Sequence, residues 1–549
     1  MLFTPGSIVV GRMTHAPLPF VALLLALSGC AAFRRLDRPD AEPAKPDDPW
    51  TVACVWVEHR PAGADADLGP LDHGRVWARD PNGRRVAIRG GLADGFLRVD
   101  DLYAWTAEGG DQPLGVPASA SALQLFCADT LAADFAGRDV TTDRIAAARE
   151  GEDVEVPMAL AAGLDGAPRS TAKRVVVFGD SLSDPGNLKR RLKIFPNAPY
   201  YLGRFSNGPN WTQYLAERTT LPVYNHAVGG AVSVPHEDIP ATGILAAVEQ
   251  GGQFLLTGSL NEYVGDYLTK DLQDGQLQYT NDTVFIIWSG GNDYLSKEPI
   301  SGEISTLLDS PEDPAGYVRV VAETTGAIAD QVRRLYAAGG RRFVVMTLPD
   351  LGRIPGVLHN ESYRPPGRET EAARKAQLSR RLSKLTSYHN AELEKRLDAL
   401  RTELPGASIV VTDTQQAINE ILAGRMSTSG RATKAFAYGF DLTSLRSTKL
   451  RDWRGPIAIQ DRCYRGGYLG TSDPQNVCPQ EPHAFFWDMV HPDSYTYCWL
   501  AFFVERDLVR AGLLEHEPDP REYRDYCARR QEPATPGVAR RDPAEVSAP

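Results

Sequence analysis

Ser181 follows the apolar run Val175-Val176-Val177-Phe178, with only Gly179 and Asp180 between. Such a run reads as a buried strand, and Gly179 lets the backbone turn closely after it. In open α/β sheets ligands gather beyond the carboxyl ends of strands. A serine delivered to that edge is placed to act as a nucleophile, provided a base takes its proton. Near the other end of the chain stands Asp488-Met489-Val490-His491. A carboxylate three residues before a histidine shares one face of a turn with it. That spacing lets Asp488 hold the Nδ1–H of His491 and leaves Nε2 for a serine. Attack on a carbonyl also needs donors for the oxyanion. Two glycine-rich stretches qualify: Asn225-His226-Ala227-Val228-Gly229-Gly230-Ala231 and Ser289-Gly290-Gly291-Asn292-Asp293. Neither is a phosphate loop, because no G-x-x-x-x-G-K-S/T occurs. No G-x-S-x-G elbow surrounds Ser181. Each stretch alone also reads as an ordinary turn or cap.

The elements that would position these residues are legible from about Arg174 onward. Strand patterns at 175–178, 222–225, 283–288, 343–346 and 408–411 alternate with helical ones. Helical spacing covers 211–218, runs over 318–338 and stops at Gly339-Gly340. A long stripe follows: Leu378, Leu382, Leu385, His389, Leu393, Leu397 and Leu400. His389 on that stripe reads as a core or boundary residue. A last helix lies near 495–511. The expectation is an α/β domain, a flavodoxin-like doubly wound parallel sheet of about five strands, with each candidate stretch at a strand end. The segment 425–485 is Gly/Ser/Arg/Tyr-rich without a period, and long irregular segments in compact domains are more often functional than idle.

These blocks together resemble the SGNH/GDSL hydrolases. Gly179-Asp180-Ser181-Leu182-Ser183-Asp184, the glycine pair after Asn225, Gly290-Gly291-Asn292-Asp293 and Asp488-Met489-Val490-His491-Pro492 look like the four blocks of that family, in order. The resemblance implies the SGNH fold and a serine esterase or lipase. It makes Ser181 the nucleophile and its N–H one oxyanion donor. Asn292 and a glycine N–H supply the others, with spacing favouring Gly230 over Gly229. His491 becomes the base and Asp488 its partner. A finer likeness joins Gly203-Arg204-Phe205-Ser206-Asn207-Gly208-Pro209-Asn210-Trp211, Leu348-Pro349-Asp350-Leu351-Gly352 and Cys463-Tyr464-Arg465-Gly466-Gly467-Tyr468. These are similar to the bacterial thermolabile haemolysin and glycerophospholipid–cholesterol acyltransferase branch. That branch implies phospholipid or lysophospholipid acyl esters as substrates, with acyl transfer open, and a Cys463–Cys478 loop near the site. Two other readings stand beside it: a carbohydrate acetyl esterase of the same fold, and a surface-binding lipoprotein without catalysis.

The chain has 549 residues and a formal net charge of -11, which disfavours nucleic acid as a partner. The apolar run Phe20-Val21-Ala22-Leu23-Leu24-Leu25-Ala26-Leu27 is too short to span a bilayer and reads as a signal peptide over 1–29. Leu27-Ser28-Gly29-Cys30 resembles a lipobox, with Cys30 acylated and 30–48 as a tether. Ala31, rather than aspartate, after that cysteine points to the outer membrane; the alternative is an ordinary secretory signal with an incidental cysteine and a secreted protein. The remaining six cysteines then pair in an oxidising compartment. Proximity suggests Cys54–Cys127, Cys463–Cys478 and Cys498–Cys527. No C-x-x-C occurs, against a zinc ribbon or thioredoxin site, and the serine chemistry requires no metal or cofactor. Alternating patterns over 49–135 predict a small all-β domain, 136–172 a linker, 173–515 the hydrolase domain and 516–549 a polar tail.

Overall fold

Six consecutive buried residues, Arg174–Gly179, form the strand that ends at the candidate serine. Their β-branched and aromatic side chains suit a strand covered on both faces. The computed structural model describes residues 49–60, 70–105, 112–152, 154–160, 171–234, 258–297, 304–306, 314–358, 370–423, 438, 462–478 and 484–531. Cys30, the segments 1–48 and 532–549, and most of 425–485 lie outside the described residues.

Among the described residues, the amino-terminal strands are β1 (Trp50–Glu58), β2 (Asp72–Trp77), β3 (Arg85–Ala93), β4 (Phe96–Trp105), β5 (Gln112–Pro113), β6 (Val140–Ala148) and β7 (Met158–Leu160). They make one sheet of order β2-β1-β3-β4-β5, with β6 on β1 and β7 on β4. The central sheet holds β8 (Arg174–Gly179), β9 (Val223–Asn225), β10 (Thr283–Trp288), then β13 (Arg342–Met346) and β14 (Ser408–Thr412), after the short hairpin β11 (Leu295–Lys297) and β12 (Ile304–Thr306). Its order is β14-β13-β10-β8-β9, and every pairing is parallel. This is the flavodoxin-like winding, whose direction reverses between β8 and β10.

Both faces of that sheet are covered. Val176, Phe178, Phe285, Ile287, Phe343 and Val345 share one core with Ile328 and Val332 of helix Pro314–Ala337 and Leu393 and Leu397 of helix Glu371–Glu403. Val175, Val177, Val284, Ile286, Val344 and Met346 face the other way, toward helices Trp211–Thr219 and Ser494–Arg510. Each such side chain stabilises the fold by about 1.5–3 kcal/mol relative to exposure. Helix Trp211–Thr219 starts at a capping box of Asn210 and Gln213, which satisfies two backbone donors.

Three expectations need correction. The segment 49–135 is not all β, because it contains helix Ala120–Asp134. Ser119 caps it, and Leu123, Phe126, Cys127, Thr130 and Leu131 are buried at spacings of three and four. The segment 136–172 is not a mere linker. Its charged residues Asp143 and Arg144 lie within β6: Asp143 is buried against Arg204 and Arg144, and Arg144 also pairs with Glu155. The polar tail does not begin at 516, because helix Pro520–Gln531 packs on helix Ser494–Arg510 through buried Tyr523 and the Cys498–Cys527 disulfide. The other disulfides are Cys54–Cys127 and Cys463–Cys478, so all three pairings follow proximity. His389 is fully buried, and one ring nitrogen shares a 2.7 Å hydrogen bond with the Tyr294 hydroxyl.

Candidate active site

Ser181 sits two residues beyond the Gly179 that ends β8, with Asp180 between. A Cβ on Gly179 would stand 2.5 Å from the Trp288 carbonyl of β10, so the two strands approach closely only because this residue is glycine. The turn then closes: the Leu182 N–H donates to Asp180 Oδ1 at 3.0 Å and the Ser183 N–H to the Asp180 carbonyl at 3.0 Å. Trp211 Nε1–H donates to Ser183 Oγ from the flanking helix.

The histidine comes from a compact loop before helix Ser494–Arg510. Asp488 Oδ1 accepts the N–H groups of Val490 and His491, both at 2.8 Å, so the acid folds its own loop. His491 Nδ1 lies 2.7 Å from Asp488 Oδ2, and His491 Nε2 lies 2.7 Å from Ser181 Oγ. Serine, imidazole and carboxylate thus form one unbroken chain of hydrogen bonds, each member no more than 4 % exposed. Burial pushes the Asp488 carboxyl up, but the adjacent His491 charge and the loop N–H groups outweigh it, and the group is held well below the usual carboxylate range. Tyr200 O–H donates to Asp488 Oδ2 at 2.7 Å, and the Phe205 ring lies 4.8 Å from the His491 ring. Nothing periodic in the sequence marks Tyr200.

Across the serine lie the glycine and asparagine loops. The Gly229 N–H donates to Asp184 Oδ2 at 2.7 Å. Asp184 also accepts from Gly186 and Leu188, so it ties the serine loop to the glycine pair. The Gly229 N–H is thus committed to Asp184, and Gly230 follows it in a left-handed conformation, φ +80°. Asn292 sits on the turn Gly291–Asp293 after β10 and gives one amide N–H to the Ala231 carbonyl at 2.9 Å. An amide NH₂ carries a second donor. Asp293 accepts the N–H groups of Ser233 and Val234, clasping the two loops together. Burial pushes its carboxyl up to about 6.

From Ser181 a narrow apolar pocket runs between sheet and helices. Beyond Asn292 its walls are Trp288, Leu348, Ile354, Ala417, Ile421 and Phe503, almost wholly apolar. Among the described residues no group of three or more His, Cys, Asp or Glu has the arrangement to hold a metal, and no helix is long and apolar enough to cross a membrane.

A doubly wound sheet carrying this serine at its carboxyl edge defines a hydrolase of ester bonds. Residues 175–501 match the GDSL-like lipase/acylhydrolase family model, and the chain belongs to that family. It is 27 % identical over 348 residues to a phosphatidylcholine-sterol acyltransferase of Aeromonas hydrophila, covering 61 % of this chain and 89 % of that one. It is 33 % identical over 184 residues to a thermolabile hemolysin of Vibrio parahaemolyticus, covering 33 % of this chain and 35 % of the relative, so the match spans about a third of that protein. Among solved structures, an acetylxylan esterase of Geobacillus stearothermophilus aligns with 63 % of this chain and 97 % of its own, at 12 % identity and a TM-score of 0.24.

Proposed function

We propose that Ser181, His491 and Asp488 hydrolyse acyl esters of phospholipids or lysophospholipids through an acyl-enzyme. The observation that carries this is the 2.7 Å contact of His491 Nε2 with Ser181 Oγ while Asp488 holds the other ring nitrogen. His491 takes the hydroxyl proton as Oγ bonds to the ester carbonyl carbon. The oxyanion is met by the N–H groups of Ser181 and Gly230 and the second amide N–H of Asn292. Collapse breaks the ester C–O bond, and His491 returns the proton to the departing alcohol oxygen. Water, activated by the same imidazole, releases the acid, and an alcohol in its place gives acyl transfer.

The apolar walls beyond Ser181 support a long acyl chain over an acetyl group. A chain of methylenes gains about 0.8 kcal/mol per buried CH₂, whereas a glycan would leave its hydroxyls unpaired there. The relative that acts on phosphatidylcholine and sterol fits the same choice. Export and acylation at Cys30, with 30–48 as tether, would hold the enzyme at the outer membrane beside its substrate. The segments 49–172 and 173–531 then act as an accessory unit and a catalytic unit. Thin-layer analysis of products from phosphatidylcholine, lysophosphatidylcholine and acetylated xylan tests the substrate class. Fatty acid release from the lipids is expected, and deacetylation of xylan with lipids untouched would reject a lipid substrate.

A further inference from the structure

We propose that Asp143, from the amino-terminal β sheet, is a positioning residue for the Ser181–His491–Asp488 site. The proposal rests on the catalytic reading above and gives the amino-terminal sheet a part in it. Between β1 and β6 the register slips: Arg144 pairs with Val55, but the next pair is Thr142 with Trp56. Asp143 is therefore the extra residue of a β-bulge, a device that re-aims a side chain out of the ladder. Here it aims the carboxylate into the catalytic unit. Arg204 Nη2 donates to Asp143 Oδ2 at 2.9 Å and to Oδ1 at 3.2 Å, and the Tyr201 hydroxyl donates to Oδ1 at 3.3 Å. Both charges are sealed off, with Arg204 0 % and Asp143 2 % exposed at their side chains. Arg144, itself paired with Glu155, is the second cation on Asp143.

What this contact holds is the turn that serves the triad. Tyr201 and Arg204 bracket Leu202 and Gly203, both with positive φ, at 50° and 78°. The Arg204 N–H closes the turn on the Tyr201 carbonyl, and the Tyr201 N–H reaches the Ser206 carbonyl. On one side of the turn Tyr200 gives its hydroxyl to Asp488. On the other side Phe205 packs on His491, and a Cβ on Gly229 would stand 2.2 Å from the Phe205 ring. A left-handed leucine is disfavoured and persists only where the surroundings over-determine it. Asp143 supplies that constraint through Arg204 and Tyr201, the immediate neighbours of Phe205 and Tyr200.

The test is a double-mutant cycle on the full chain with a short soluble aryl ester. Asp143→Asn should lower kcat about tenfold with KM within about twofold, because a misplaced triad loses transition-state stabilisation and not ground-state binding. Tyr200→Phe should do the same. In the Tyr200→Phe background, Asp143→Asn should cost less than about threefold further, since residues acting through one contact do not add. Equal losses in both backgrounds, or an unchanged kcat for Asp143→Asn, would overturn the proposal. Should Asp143→Asn fail to fold, Arg204→Lys enters the same cycle, keeping the charge while losing the planar guanidinium that bonds Asp143 through Nη2 and Gln213 through Nε at once. Fluorophosphonate labelling of Ser181 in the parent protein reads the catalytic assignment separately. Labelling with an additive cycle sinks only the role of Asp143.

Discussion

Asp488 serves two masters within one loop. Oδ1 accepts the N–H groups that shape residues 488–491, and Oδ2 faces His491 and Tyr200. Removing the Tyr200 hydroxyl leaves the fold's apolar contacts in place while freeing the acid to shift, hence the kcat loss predicted above. Asp293 offers a second residue-level test. Its carboxyl moves from an ordinary 3.8 to about 6 on burial, so the folded state binds protons that the unfolded state has released. Stability from this group is present below about pH 4 and is lost as pH rises toward 6. Comparing the protein with Asp293→Asn by denaturant unfolding should show the wild type's relative stability falling by up to about 3 kcal/mol across that window. A flat difference would reject the shift. Asp488 acts in the opposite sense: held low, it adds stability above the usual carboxylate range that is lost on acidification.

At the scale of elements, helix Thr414–Ala423 and helix Ser494–Arg510 form one wall of the cavity through Ala417, Ile421, Leu500 and Phe503. Ala417→Phe should fill that wall. Turnover of acetyl and butyryl aryl esters should stay within about threefold, while that of dodecanoyl esters drops tenfold or more, since each displaced methylene is worth about 1–3 kcal/mol. Equal losses for all chain lengths would mean the cavity does not take the acyl chain. The helix Pro520–Gln531 depends on its covalent tie. Replacing Cys498 and Cys527 by serine should lower stability by about 3–4 kcal/mol in denaturant unfolding, given the 29-residue separation. These elements were unevenly legible. The strands of the central sheet declared themselves because continuous apolar runs have few other uses. The helix Ala120–Asp134 did not, since Leu123, Leu125 and Cys127 alternate over a window too short to show the helical period.

For the whole molecule, the serine, the Asp–His pair and the two glycine-rich loops were readable because each is a short local motif. Tyr200 and Asp143 were not, because what they do depends on two distant segments meeting. Asp143 even misled: a run of charges in 136–172 looks like a solvated linker until β6 pairs with β1 and turns its carboxylate inward. The lipobox reading adds a prediction at this scale. Cys30→Ala should move the protein from the membrane fraction to the soluble fraction of exporting cells, and unchanged membrane retention would reject acylation at that residue.

The central claim is that Ser181 is the nucleophile. Its most direct test is to react the protein with a fluorophosphonate and locate the adduct by peptide mass spectrometry. The account predicts one stoichiometric adduct on Ser181, absent in Ser181→Ala, with turnover of a short aryl ester lost in parallel by about 10⁴-fold or more. An active protein whose adduct lies on another residue, or a Ser181→Ala variant that keeps substantial turnover, would contradict it.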